Sequence, residues 1–120
     1  MVTTKQPIKE GGHILWDMDG TLAEYHGWNG EYDNGLGKPI PKSVALLKQQ
    51  LASGYEVRIF TARAGQCEKD PKAKEAVEAW CLEHLGEVLP ITNKKDFTTL
   101  CIFDDRAFQV VFNTGEIVGA

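Results

Sequence analysis

Cysteine is scarce: Cys67, Cys81 and Cys101 are the only three. The number is odd, no pair has CxxC spacing, and no compact Cys/His cluster occurs. A disulfide framework and a structural zinc site are both excluded, and free thiols in a reducing compartment are expected. Long hydrophobic runs are also missing. No stretch approaches the roughly 20 apolar residues that span a bilayer. The stretch MVTTKQPIKEGG lacks the apolar core of a signal peptide. A soluble, cytoplasmic protein with no membrane partner is the expectation. Excess positive charge is absent as well: 13 Lys and Arg face 17 Asp and Glu, a net charge of −4. Binding nucleic acid through an overall basic field is disfavoured, although a small basic patch fits these numbers.

What remains is one domain's worth of chain. It has 120 residues, 42% hydrophobic and 25% charged, enough for a packed core. There is no internal repeat. Residues 1–12 read as a polar tail. His13 to Trp16 is a short apolar run between glycines and Asp17-Met18-Asp19-Gly20, and predicts a buried strand. Residues 23–39 are rich in glycine and carry Tyr25, Trp28 and Tyr32, which predicts a loop or short hairpin. From Pro41, Val44, Leu47 and Leu51 recur at helical spacing until Gly54, with a poor N-cap at Ile40.

Tyr55 to Thr61 predicts a second strand. Asp70-Pro71 opens a helix through Ala73, Val77, Trp80, Cys81 and Leu85, closed by Gly86. Val88 to Ile91 and Thr99 to Phe103 predict two more strands. Residues 110–112 and 117–118 flank Asn113-Thr114-Gly115-Glu116 and suggest a C-terminal β-hairpin. Strands alternating with helices imply an α/β fold with a doubly wound parallel sheet and helices on both faces. The ligand site of such a sheet lies beyond the carboxyl ends of its strands.

The reactive residues fall at those ends. The first strand leads to Asp17 and Asp19, the second to Thr61 and Arg63, and the fourth to Asp104 and Asp105. Convergent carboxylates resist joint ionisation, so either one stays protonated or a cation sits among them. Oxygen donors without histidine or thiolate favour a hard ion, most commonly Mg²⁺, which usually binds one or two carboxylates plus a substrate phosphate. Asp17 and Asp19 are spaced so that one can attack while the other manages a proton, and Gly20 allows a sharp turn and close ligand approach. Each feature also has a plainer meaning. Asp-Gly after a strand often marks a turn, and an EF-hand fails because Gly20 is at the fourth position. Lys94-Lys95 can be a solvated pair, and Arg63 either a phosphate clamp or a surface ion pair. Tyr25, His26 and Trp28 either stack a substrate or pack on their own loop. Trp80 reads as core, and Arg106 as pairing a carboxylate.

LWDMDGTL at 15–22 resembles the first signature of the haloacid dehalogenase superfamily. RIFTAR at 58–63 is similar to its second, Lys94 or Lys95 sits at its third, and IFDD at 102–105 resembles its fourth. The set is in family order and covers nearly the whole chain. TAR and DDR resemble, more weakly, the phosphatase domains of polynucleotide kinase-phosphatases. The resemblance implies a Rossmann-like fold and a Mg²⁺-dependent phosphatase with Asp17 as nucleophile and Asp19 as general acid and base. It also implies Thr61 as a phosphoryl ligand and a neutralising lysine. Lys95 is favoured over Lys94 because Asp96 could begin a short helix. Gly20, Arg63 and Lys94 would border the substrate. Mg²⁺ would be held by Asp17, by Asp19 through its main-chain carbonyl, and by Asp104 and Asp105.

The gaps between motifs leave no room for a cap domain, so the implied site is open. That suits a nucleic-acid terminus, a phosphoprotein, or a site completed by a homo-oligomeric partner. A small phosphorylated metabolite or nucleotide fits if the 23–39 loop folds over as a flap. Two alternatives belong to other classes. A receiver domain has its acidic pair first and its phosphorylated aspartate later, the reverse of the order here. A non-catalytic phosphate- or Mg²⁺-binding module would not need every reactive residue to be present.

Overall fold

The computed structural model describes residues 11–27 and 36–119. Four strands, β1 (His13–Trp16), β2 (Glu56–Phe60), β3 (Ile91–Thr92) and β4 (Thr99–Phe103), form one sheet in the order β3-β2-β1-β4. Every pairing is parallel. Three helices, α1 (Pro41–Ala52), α2 (Ala64–Lys69) and α3 (Pro71–Leu85), complete the α/β fold. None is long and apolar enough to cross a membrane.

Helix α3 begins where its sequence says it should. The Asp70 carboxylate accepts the Lys72 amide at 2.9 Å, Pro71 fills the first turn, and Gly86 ends the helix at φ +89°. Helix α1 has no side-chain cap at Ile40, as expected, and Gly54 turns its exit at φ +90°. Helix α2 is not foreseen in the sequence. The third strand is displaced: Val88–Leu89 stay outside the ladder, and Pro90 offers β2 only its carbonyl, to the Ile59 amide at 2.8 Å. Pairing therefore starts at Ile91, after the residue that has no N–H.

Side chains alternate along the buried strands. Ile14, Trp16, Val57 and Ile59 join Leu47 of α1, Cys67 of α2 and Val77, Trp80, Cys81 and Leu85 of α3 in one core cluster. All three helices thus feed the same face. The expected helices on both faces are not what the described residues show. The reason is topological. Successive right-handed crossovers running from β1 through β2 to β3 deposit their helices on one side, and the 93–98 connection to β4 contains no helix. At the carboxyl end of the chain, Val110 and Ile117 form an isolated antiparallel bridge, short of the expected two-stranded hairpin.

The described ends of the 23–39 segment are joined. Ala23 bridges Pro39, and the Glu24 amide donates to the Lys38 carbonyl at 2.8 Å. Trp80, in the core as expected, donates from Nε1 to the Gly37 carbonyl at 2.9 Å, tying the segment to α3. Trp28, Gly30, Tyr32 and Gly35 lie outside the described residues, as do the first ten residues of the polar tail.

Candidate functional site

Strand order decides where the candidate site lies. The chain moves from β1 to β2 to β3 in one direction, then returns to place β4 on the other side of β1. The carboxyl ends of β1 and β4 therefore lie side by side, and a crevice opens beside them, lined by Gly20, Thr21, Asp104 and Asp105. Asp17 follows β1 and Asp104-Asp105 follow β4 at that crevice. The ladder continues to its edge, because the Asp17 amide still donates to the Phe103 carbonyl at 2.9 Å. Below it, the rings of Trp16 and Phe103 stack at 4.3 Å and 8°, and Trp16 Nε1 donates to Gln50 of α1 at 2.8 Å.

Carboxylate oxygens of Asp17, Asp104 and Asp105 all lie within 4.8 Å of one another. Repulsion and burial act strongly here. Asp17 is pushed up from its ordinary 3.8 to about 7, by burial first and then by sharing a proton with Asp105 and facing Asp104. Asp105 moves the opposite way, held down by hydrogen bonds from Thr21 and Asp17. The Thr21 hydroxyl accepts the Asp105 amide at 3.0 Å. Its one hydrogen faces Asp105 Oδ1 at 2.8 Å and Asp17 Oδ2 at 3.2 Å. The sequence assigns Thr21 no chemistry of its own, and its place directly after Asp19-Gly20 is the signal for this role.

Gly20 is required on two counts. Its φ is +88°, and a Cβ there would stand 2.9 Å from the Asp105 carboxylate. The turn around it is anchored from inside. Met18 and Leu22 are fully buried, and the Met18 carbonyl accepts the amides of Leu22 and Ala23 at 3.0 Å each.

Asp19 does not join the cluster with its side chain. Its carboxylate takes Arg63 in a two-point pair, Nε to Oδ2 at 2.6 Å and Nη2 to Oδ1 at 2.9 Å. The side chain is thereby engaged, which leaves the main-chain carbonyl of Asp19 as the metal donor that the resemblance implied. The pair also changes the reading of Arg63. The residue is only 8% exposed and engages a carboxylate, so it is neither a surface ion pair nor an arginine presenting that edge to a phosphate. The turn before it is closed by the Arg63 amide donating to Thr61 Oγ1 at 3.1 Å. Thr61 is buried at the end of β2, one position past the level of Asp17 in the parallel register.

Neither Lys94 nor Lys95 forms an ion pair with these acids among the described residues. Both are exposed. The reason for favouring Lys95 also goes. Asp96 accepts the Thr98 amide at 2.8 Å and the Thr98 hydroxyl at 2.7 Å, which closes a turn and starts no helix. Arg106 uses its amide, not its guanidinium, to bind Asp104 at 2.8 Å. Tyr25 is half-exposed, and His26 contacts Glu24 at 2.9 Å. The buried Cys81 thiol is pushed up to about 11 by burial, which makes it inert.

A cavity of about 420 Å³ adjoins the cluster, between Gly20, Thr21, Asp104 and Asp105 on one side and Lys42 and Ser43 on the other. The donor set around the three carboxylates is oxygen only. It suits a hard divalent cation, whose charge would offset the burial and the neighbouring carboxylates that push Asp17 up to about 7. Comparison with known proteins finds no matching family model, no matching curated protein and no matching solved structure.

Proposed function

We propose that this chain is a Mg²⁺-dependent phosphatase acting on phosphate monoesters through an aspartyl-phosphate. The observation that carries the reading is the convergence of Asp17, Asp104 and Asp105 where the strand order reverses, with Asp19 held two residues beyond the nucleophile position. The ordered motifs at 15–22, 58–63 and 102–105, which resemble the haloacid dehalogenase superfamily, support it.

Asp17, Asp104, Asp105 and the Asp19 carbonyl would hold Mg²⁺. When bound, it would neutralise charge on the carboxylates and the phosphoryl oxygens. An Asp17 oxygen attacks phosphorus in line, and the ester P–O bond breaks. Asp19 enters the step protonated on one oxygen, with Arg63 keeping the other, and gives that proton to the departing oxygen, which yields an alcohol and restores the carboxylate that Arg63 pairs at both oxygens. Asp19 then takes a proton from water, whose oxygen attacks phosphorus. The P–O bond to Asp17 breaks, releasing inorganic phosphate and restoring the carboxylate. Thr61 would hydrogen-bond a phosphoryl oxygen, and Lys94 or Lys95 would neutralise the phosphate after moving toward it. The sequence gaps between the motifs are too short for a cap domain, which supports access of a nucleic-acid terminus or a small phosphometabolite to the crevice. The sparse cysteines, with no helix among the described residues long and apolar enough to cross a membrane, suit a cytoplasmic setting.

The test is phosphate release with Mg²⁺ from nucleoside monophosphates, sugar phosphates and oligonucleotides bearing 3′- or 5′-phosphate. We expect activity that chelation abolishes and that Asp17→Asn lowers by at least about 10³-fold. Equal rates in wild type and Asp17→Asn would refute the reading.

A further inference from the structure

We propose that Arg63 is a positioning residue, acting on the reaction through Asp19 and not through contact with the phosphate. This rests on the phosphatase reading above. It departs from the phosphate-clamp role that the sequence suggested for Arg63.

Three observations carry it. The first is geometric. The guanidinium fork meets both Asp19 oxygens, at 2.6 and 2.9 Å, and such a two-point pair fixes the plane of the carboxylate as well as its position. The second is burial. Arg63 is 8% exposed, and its side chain and that of Asp19 are 9% and 21% exposed in the pair. Water therefore competes weakly, and losing one partner strands the other charge. The third is how Arg63 is itself held. Its amide is tied to the Thr61 hydroxyl, its carbonyl accepts the amides of Gln66 and Cys67 at 3.0 Å each, and it opens α2. Helix α2 packs on α3 and sends Cys67 into the core. The hydrogen-bonded turn and helix after β2 thus hold a carboxylate in the loop after β1, 44 residues away.

The chemistry that needs this is proton delivery. A carboxyl group aids an ester's departure only when its oxygen stands within hydrogen-bond reach of the leaving atom, and displacement by about 1 Å can cost about 10²-fold. The benefit depends on the leaving group. An alkoxide leaves poorly without a proton, whereas p-nitrophenolate leaves readily without one. A residue that orients the acid should matter for the first and little for the second. A residue that grips the phosphate should matter equally for both.

The experiment compares wild type, Arg63→Lys, Asp19→Asn and the double variant on an alkyl phosphate and on p-nitrophenyl phosphate, with Mg²⁺ present. Lysine keeps the charge and loses the fork. Should Arg63→Lys not fold, Arg63→Gln combined with Asp19→Asn removes both charges and is compared with Asp19→Asn alone. We expect Arg63→Lys to lower kcat on the alkyl ester about 10²-fold. On p-nitrophenyl phosphate the loss should be under about threefold, with KM nearly unchanged on both. In the Asp19→Asn background the second substitution should add almost nothing. A raised KM with kcat kept would overturn the proposal in favour of a phosphate clamp. Equal losses on both esters, additive with Asp19→Asn, would overturn it in favour of a purely structural pair. In those two cases the phosphatase reading stands. A wild type no faster than Asp17→Asn overturns that reading, and this proposal with it.

Discussion

Two segments supply the acidic cluster, and they are built differently. The loop after β1, residues 17–23, alternates carboxylates with buried anchors. Met18, Leu22 and Ala23 are all fully buried, and the Met18 carbonyl ties the loop to itself. The segment after β4, residues 104–119, starts with two carboxylates and then exposes its apolar side chains. Phe108 is 79% exposed, and Val110, Phe112, Ile117 and Val118 are also open. Its own bonds run inward, from the Val111 amide to the Glu116 carbonyl at 2.7 Å and from the Val118 amide to the Gln109 carbonyl at 2.8 Å. The first loop is positioned by the core. The second borrows its order at Asp105, through Thr21 of the first. Buried apolar residues flank the acids of the first loop, whereas in the second Asp105 is held by a polar contact from across the site.

The largest expected effect tests that dependence directly. Leu22→Ala should cost about 2–5 kcal/mol by denaturant unfolding, because it empties a fully buried site. A cost under about 1 kcal/mol would mean that the core does not anchor the first loop.

The next concerns pH. Asp17, raised from 3.8 to about 7, binds its proton more tightly in the folded chain than in the unfolded one. Its stabilising contribution is whole below about pH 3.8 and is lost as pH rises through about 7. Asp105, lowered, contributes above its ordinary value and loses that contribution as pH falls below it. The interval between about pH 4 and 7 therefore belongs to Asp17. In chelator, wild type should lose on the order of 1–2 kcal/mol across it, after allowance for partial solvent screening. Asp17→Asn should flatten the slope. Thermal melts of both proteins at half-unit pH steps measure it. Identical slopes would show that Asp17 does not carry the strain of the cluster.

Smaller still is the link between the segments. Thr21→Val keeps the shape and removes the hydroxyl, and should cost about 1 kcal/mol and weaken Mg²⁺ binding about tenfold by calorimetry. Unchanged affinity would mean that the second segment orders itself. Least of all, Phe108→Ser should stay within about 0.5 kcal/mol, because little is buried there to lose. A cost near that of Leu22→Ala would erase the contrast.

The sequence made some of this legible and not the rest, for physical reasons. β1, β4 and α3 carry their own signals: short apolar runs ending in acids, and a helix framed by Asp70, Pro71 and Gly86. The acids of the cluster could be assigned to strand ends, and the topology then brought them together. Helix α2 has six residues, includes Gly65, and has no side-chain cap, so nothing local announces it. It depends on the turn that Thr61 closes. The Arg63–Asp19 pair is equally silent in sequence, because its partners are distant in the chain and meet only through sheet order. The third strand starts later than its sequence suggests, because Val88 and Leu89 look like strand residues while Pro90 delays the ladder to Ile91.

The aromatic stack beneath the site has a further consequence. Trp16 and Phe103 are each one residue upstream of an acid, Asp17 and Asp104, and they lie face to face at 4.3 Å. Spreading those acids apart means pulling two stacked rings out of contact, so the stack acts as a spacer setting the gauge of the crevice. Because one surface is an indole, the gauge also carries its own optical label. A change in the separation of β1 and β4 would alter how Phe103 shields Trp16, so in a chain with Trp28 and Trp80 replaced by Phe the emission of Trp16 would report on the width of the opening.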